Sequence, residues 1–514
     1  MRIAFRTDAS SQIGTGHFMR CFTLAIELKK QGAQIRFISR YLLVHLRDML
    51  DAKGLEYVPL SMDTAQESID ELTHANWLGT SQTQDSQATV QALADHLWDW
   101  IIVDHYALDR RWESAVRASA KQLMVIDDLA DRQHDCDVLL DQNFYVDMQT
   151  RYINKVPEHC QLLLGPRYAL LRDEFRVMRE QIKPRSGEVK NILVFFGGVD
   201  AGNYTGLALQ ALAGITHEEQ HVDVVIGAQH PWREQIQAIC ATHGYVCHVQ
   251  TAHMAELMAK ADMSIGAGGT ATWERCCLGL PTLTFCIAEN QHKQVVDAAE
   301  VGLLYAPLRE KSLEDLIYSH AQALMENSSL LKLISINAMR SVDGNGIQSV
   351  IKILCASQLN LQVTPNILVR KADISDAVRV WAWRNHEATR RYFFDASAVS
   401  LEAHIEWWNG SLLDYGRILL LGYFEGVDFG VIRFDVNNLR QAVISIYINP
   451  ELTGQGFGRA LLRQGLDWLR SHRPEINVVL AEVVPENIAS LKVFQSAGFR
   501  EHHRVMEMNF DEFE

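Results

Sequence analysis

Over its first 150 residues the chain alternates short β-branched runs with amphipathic helical stretches, a pattern that leaves few folds open. Parallel strands need long crossovers, so each connection carries a helix that covers the sheet. IAF near the start, QIRFIS, WIIVDHY, LMVIDD and DVLLDQN are the predicted strands. The alternation restarts after KPRSGEVK, a charged stretch in which Pro184 and Gly187 suit a linker, with NILVFFGG, HVDVVIG and DMSIGAGG. This second α/β region closes at Asp343 to Gly346 and the helix-like IQSVIKIL, and SQLNLQVTPN then reads as an extended connector. A third region opens on ILVRKADISDAVRVWAWRN, carries strands such as RILLLGYFE and AVISIYINP, and ends with a glycine turn, a helix and a final strand pair. The expected division is 1–185, 186–356, a linker over 357–366, and 367–514. A chain of 514 residues exceeds what one hydrophobic core supports, which agrees with several domains.

Composition bounds the ligand and the compartment. At 48% hydrophobic and 22% charged residues the chain can bury several cores, yet no apolar run approaches a bilayer span. MRIAFRTD already reads as a strand, with no export signal ahead of it. Nine cysteines, an odd number with no C-x-x-C pair and none after Cys355, read as reduced thiols in a cytoplasmic protein, without a zinc site. The net charge of −15 argues against nucleic acid, so an anionic ligand must be held by local amides and a few cations. The expected partners are small molecules, with no membrane and no obligate protein partner.

Two strand, glycine-turn, helix units carry the first chemistry. IAF runs into RTDASSQIGTGHFMRC and a helix with apolar residues at Phe18, Cys21, Phe22, Ala25 and Leu28. Gly14 and Gly16 allow close backbone approach, and the helix start offers unpaired N–H groups to an anion. His17 sits at that mouth, where a neutral imidazole can take a proton from water; packing or helix capping is the structural alternative. In DMSIGAGGTATWERC the amides of Gly269 and Thr270 suit a diphosphate, and Glu274, one helical turn on, offers a carboxylate to ribose hydroxyls. Neither an ATP-cleaving P-loop nor a full dinucleotide fingerprint is present. Asp127, Asp128 and Asp141 fall at predicted strand ends without ligand spacing, so they are expected to be structural or sugar-contacting rather than metal-binding.

RTDASSQIGTGHFMR, VDHY, VIDDLA, DQN, GPRYALLRDEF, FGGVD and GAGGTATWE, in that order, resemble the UDP-sugar hydrolases of pseudaminic acid biosynthesis over nearly all of the first 355 residues. The resemblance implies an α/β fold of two Rossmann-like domains of glycosyltransferase-B type. It implies metal-free hydrolysis of UDP-2,4-diacetamido-2,4,6-trideoxy-β-L-altrose at its anomeric carbon, with inversion and UDP as leaving group. It makes His17 the base that activates water, and places Arg6, Asp8, Gly14, Gly16 and Tyr106 around the sugar. Gly268, Gly269, Thr270 and Glu274, with Asn290 and Gln291 beyond them, would bind UDP.

In the third region IYINPELTGQGFGRALLRQGLDWL passes from strand to glycine turn to helix, with Leu461, Leu462, Leu466 and Leu469 available to a core. It resembles the acetyl-CoA motif [QR]-x-x-G-x-[GA] of the GNAT superfamily of N-acetyltransferases, an α+β fold, with Gly456 and Gly458 in the glycine positions and Thr453 where Arg or Gln is usual. The resemblance implies acetyl-CoA as cosubstrate, held by Ile448, by the turn from Gln455 and Gly456 through Phe457 and Gly458 to Arg459, and by Asn487 and Ser490. Seven positions after Asn487 this sequence has Phe494 where many members have an acidic tyrosine. Trp381, Trp383, Arg384, Asn385 and Trp407 are read as core rather than as an acceptor pocket. Together these resemblances imply two consecutive steps, acetylation of the 4-amino group of a UDP-amino-sugar and then removal of UDP. The alternative is an inverting UDP-sugar glycosyltransferase carrying a non-catalytic CoA-binding module.

Overall fold

The computed structural model describes residues 1–501 except 11, 62–69, 149, 218, 308–311, 357–366, 425–426, 438–439, 453–456 and 485, and leaves the side chains of Asn290, Ala356, Val427 and Glu451 undescribed. The predicted linker over 357–366, and Thr453, Gln455 and Gly456 of the predicted CoA turn, therefore lie outside the described residues. The chain divides into two compact units, Met1–Leu354 and Cys355–Glu514.

The first unit holds two sheets. Strands β1 (Arg2–Thr7), β2 (Gln34–Ser39), β3 (Glu56–Pro59), β4 (Trp98–Asp104), β5 (Ala120–Ile126), β6 (Val138–Asp141) and β7 (Gln161–Leu164) form the first. They pair in the order β3-β2-β1-β4-β5-β6-β7, all parallel. Strands β8 (Asn191–Phe195), β9 (His221–Ile226), β10 (Val246–Val249), β11 (Met263–Ala267) and β12 (Thr282–Phe285) form the second, in the order β10-β9-β8-β11-β12, again all parallel. β1, β4 and β11 are buried nearly end to end, which is why they read as continuous apolar runs and not as alternating ones. The helix Gly16–Lys30 buries Phe18, Cys21, Phe22, Ala25 and Leu28 on the face its spacing predicts.

Strands β3, β7, β10 and β12 were not expected from the sequence. Each is an edge strand only four residues long, too short for its pattern to stand out from the flanking loops. The linker-like KPRSGEVK corrects another expectation, because it is firmly anchored. Arg185 is buried, with its guanidinium on the carbonyls of Met258, Ala259, Ala261 and Leu278, and Gly187 (φ 98°) lies so close to Ser328 that a Cβ would meet its carbonyl oxygen at 2.1 Å.

In the second unit β13 (Leu368–Lys371), β14 (Arg417–Phe424), β15 (Val427–Val436), β16 (Gln441–Ile448) and β17 (Val478–Ala481) pair in sequence order. All pairings are antiparallel except β16 with β17. Leu461, Leu462 and Leu469 of the helix Phe457–His472 cover one face of this sheet, while Trp383 and Trp408 belong to a second core on the other. Of the expected final strand pair only β17 falls within the described residues.

Candidate active site

Both sheets of the first unit reverse their strand order at one point, between β1 and β4 and between β8 and β11. In open parallel sheets the crevice at such a point, beyond the carboxyl ends of the strands, is where ligands bind. The two crevices meet in one cavity of about 170 Å³, whose wall takes Gly16, His17, Arg20, Tyr106 and Asp128 from the first sheet's loops and Gly269, Thr270, Gln291 and Gln294 from the second's.

The loop after β1 closes on itself, with the Gly14 N–H donating to the Ser10 carbonyl at 2.9 Å and Gly14 at φ 79°, and so delivers His17 in the first turn of its helix. At the end of β4, Asp104 accepts from His17 Nδ1 at 2.5 Å and from Arg20 Nε and Nη2 at 2.5 and 2.7 Å. With Nδ1 held there, Nε2 is the ring nitrogen left for the cavity that His17 lines. Burial works against the ionised Asp104, but Arg20 and His17 outweigh it and hold the carboxyl well below the usual carboxylate range. Asp128 takes Arg20 Nη1 at 3.0 Å, Asn143 Nδ2 at 3.2 Å and the Tyr106 hydroxyl. Burial and the neighbouring Asp128 push the Tyr106 phenol well above its ordinary value, so it stays neutral. Its ring stands edge-on to His17 at 4.4 Å between centroids and is stacked with Trp77 at 5.6 Å.

On the facing side Gly269 (φ 103°) and Thr270 lead into the helix Ala271–Cys277. Gly268 sits behind this turn, where a Cβ would lie 2.6 Å from Val295, and Gln291 Oε1 accepts from the Ile287 N–H at 3.1 Å. The side chain of Asn290 is outside the described residues. Glu274 lies off the cavity wall, facing Arg172 at 3.5 Å, and burial pushes its carboxyl up. Arg6 and Asp8 are not brought to the wall either. Both are fully buried, paired at 2.7 Å, and Arg6 also binds Asp85 at 2.8 Å. The sequence reading gave no role to Arg20, Asp104, Asn143 or Gln294. Its available signal was the polar residue that closes each apolar strand run, in VD, IDD and LDQN. Of the three aspartates read as structural or sugar-contacting, Asp128 faces the cavity, while Asp127 and Asp141 are buried behind it.

The second unit has a larger cavity, about 860 Å³. β16 and β17 pair only from Gln441 with Val478 to Ile444 with Ala481, so beyond that point Ser445–Ile448 and Glu482–Val483 line a cleft between parting strands. Ile448, Gly458, Arg459, Asn487 and Ser490 are in its wall. Phe457 is not, since its ring packs against Phe429 at 4.8 Å. Asn487 also caps the last described helix, accepting from the Ser490 N–H at 3.0 Å. Phe494 lines the cavity and packs edge-on to Phe499 at 5.0 Å. The reading of the aromatic segment as core holds for Trp383 and is corrected for Arg384 and Trp407, which line the cavity because the face they occupy lies over the cleft. Tyr447, Glu482 and His404 are wall residues without a distinctive motif, and burial pushes the His404 imidazole down to about 4, leaving it neutral near pH 7.

Residues 366–500 match the family model described as Acetyltransferase (GNAT) domain. An uncharacterized protein of Methanocaldococcus jannaschii is 22% identical over 528 aligned residues, covering 99% of this chain and 100% of that one. The UDP-2,4-diacetamido-2,4,6-trideoxy-β-L-altropyranose hydrolase of Campylobacter jejuni is 23% identical over 304 residues, covering 59% of this chain and 97% of the hydrolase. Among solved structures, Acinetobacter baumannii MurG is 14% identical with a TM-score of 0.49, covering 69% of this chain and all of that one. The fold class is two Rossmann-like domains of glycosyltransferase-B type in series with a GNAT acetyltransferase domain.

Proposed function

We propose that the chain is a bifunctional sugar-modifying enzyme of pseudaminic acid biosynthesis. It acetylates the 4-amino group of a UDP-amino-sugar and then hydrolyses the resulting UDP-2,4-diacetamido-2,4,6-trideoxy-β-L-altrose to the free sugar and UDP. The observation that carries the hydrolase half is His17, fixed through Nδ1 by Asp104 and facing the Gly269–Thr270 turn across one cavity. A water beside His17 Nε2 attacks the anomeric carbon from the face opposite UDP. Its proton passes to Nε2 as the C1–O bond breaks, so configuration inverts. Charge growing on the departing diphosphate is met by the amides of Gly269 and Thr270, with no metal called for in this scheme. Asp104 on Nδ1 fixes the ring orientation and leaves Nε2 aimed at the cavity, as in other imidazole bases held by a carboxylate.

In the GNAT domain the cleft between β16 and β17 fits acetyl-CoA, because Ser445–Ile448 have no partner strand on that side. Acetyl-CoA bound there supplies an acetyl thioester. Among the described residues of the wall Glu482 is the only carboxylate, and it takes the proton that the attacking amine must lose. Arg384 and Arg433 face the acceptor side, which suits the charge of a nucleotide-linked sugar. Phe494 in place of an acidic tyrosine favours a second reading of this domain, as a CoA-binding module without catalysis. Nine unpaired cysteines support a cytoplasmic setting.

One experiment tests both halves. The UDP-4-amino-sugar and acetyl-CoA are supplied together while UDP, free thiol and the anomeric configuration of the product are followed. Thiol release that requires the sugar, then UDP with inverted product, is expected. UDP release only when a second sugar is added would make the first unit a glycosyltransferase, and absence of thiol would leave the module reading.

A further inference from the structure

The segment between β6 and β7 of the first sheet contacts the second sheet's domain on its way. Asn143 Oδ1 accepts from the indole Nε1 of Trp273 at 2.8 Å, while its Nδ2 donates to Asp128 Oδ2 at 3.2 Å. An indole N–H can only donate and an ionised carboxylate can only accept, so the two partners fix the orientation of the amide. Trp273 is fully buried in the helix that begins just after the Gly269–Thr270 turn. Asp128 holds Arg20, and Arg20 holds the Asp104 that orients His17. A continuous run of hydrogen bonds thus leads from the second domain to the imidazole of the first. The same segment is docked again close by, where the Val146 N–H donates to Asp297 at 3.0 Å and Lys293 bridges Asp147 at 3.2 Å and Asp297 at 2.7 Å.

We propose that Asn143 is a positioning residue that couples the seating of the nucleotide-binding domain to the orientation of the His17 base, with Trp273 as its partner across the boundary. This rests on the hydrolase reading. The coupling makes the base fully oriented only while the Gly269–Thr270 turn is seated, which links occupation of that turn to attack on the sugar. The bridge must accept on one side and donate on the other, and the Asn143 amide does so with two separate atoms, Oδ1 and Nδ2.

In the full-length chain Trp273→Phe removes the donor and keeps the ring, and Asn143→Ala removes the bridge. For UDP release by Trp273→Phe we expect kcat to fall about tenfold, the size of one hydrogen bond in a buried network, with KM and UDP affinity by calorimetry within about twofold. The double variant should lose no more than Asn143→Ala alone. Amide hydrogen exchange over residues 104–106 should slow on adding UDP to the unaltered chain and not to Trp273→Phe. Unchanged kcat in Trp273→Phe, additive losses in the double variant, or the same UDP-dependent protection with and without the indole donor would overturn the coupling. A chain that binds UDP but releases none from the sugar nucleotide would sink the hydrolase reading alone, leaving the exchange measurement to decide the coupling.

Discussion

Asp104 binds two side chains at once, Arg20 and His17, and that double duty defines what each residue around it can do. Arg20 neutralises the carboxylate and fixes it, and the fixed carboxylate turns the His17 ring so that Nε2 is left for the cavity. Replacing His17 by Ala removes only the last member, so UDP release should fall by about 10²- to 10⁴-fold with little change in KM. Asp104→Asn keeps the shape and removes the charge. A fall in kcat of about 10²-fold is expected, together with a loss of about 3 kcal/mol in stability because Arg20 loses the fully buried one of its two carboxylate partners and keeps only Asp128. Steady-state kinetics and denaturant midpoints separate the two effects. His17 could be picked out in the sequence because a glycine turn placed it at a helix start. Asp104 could not, because an aspartate closing an apolar strand looks the same whether it faces solvent, a cation or a base.

At the scale of elements, the turns that build the site depend on strands approaching closely. Gly266 of β11 lies against β8, where an added Cβ would meet the Phe195 carbonyl oxygen at 2.1 Å. That oxygen belongs to the backbone of the neighbouring strand and cannot swing away. Gly266→Ala should therefore cost about 1–3 kcal/mol and disturb the loop carrying Gly269 and Thr270, read as a lower urea midpoint together with weaker UDP binding. The central strands of both parallel sheets were legible as apolar runs, since burial on two faces leaves no other composition open to them. The short edge strands were not, because four residues carry too little pattern of their own and their pairing is decided by a neighbour far along the chain. In the GNAT sheet the cleft exists because β16 runs four residues beyond its pairing with β17, a fact of register that no local pattern encodes.

For the whole molecule, the two compact units predict separable chemistry. In the full chain His17→Ala should leave acetyl transfer intact and Glu482→Gln should leave UDP release intact, each measured with its own substrate; loss of both activities in either variant would contradict this. The first unit should also be acid-sensitive. Burial opposes the ionised forms of Asp8, Asp85, Asp104 and Asp127, but their cationic partners outweigh it and hold all four below the ordinary value. A carboxyl depressed in the folded state contributes stability that is complete above its unfolded pKa of about 4 and is lost as pH falls below it. Asp141, raised by burial and by Asp128, and Glu274, raised by burial, work the other way but are two groups against four. The melting temperature should therefore drop as pH falls from about 5 to 3, and a flat profile across that window would contradict the assignment. By itself the sequence determined the class of each domain, the two glycine turns and the histidine at the first of them, because strand burial and close backbone approach restrict which residues can occur locally. Only the tertiary structure decided that Arg6 and Asp8 are buried structure, that Arg384 and Trp407 line a cavity, and that Asn143 joins two domains. Those outcomes depend on which distant strand ends meet, and hydrogen bonding is too short-ranged to leave a trace of that in local composition.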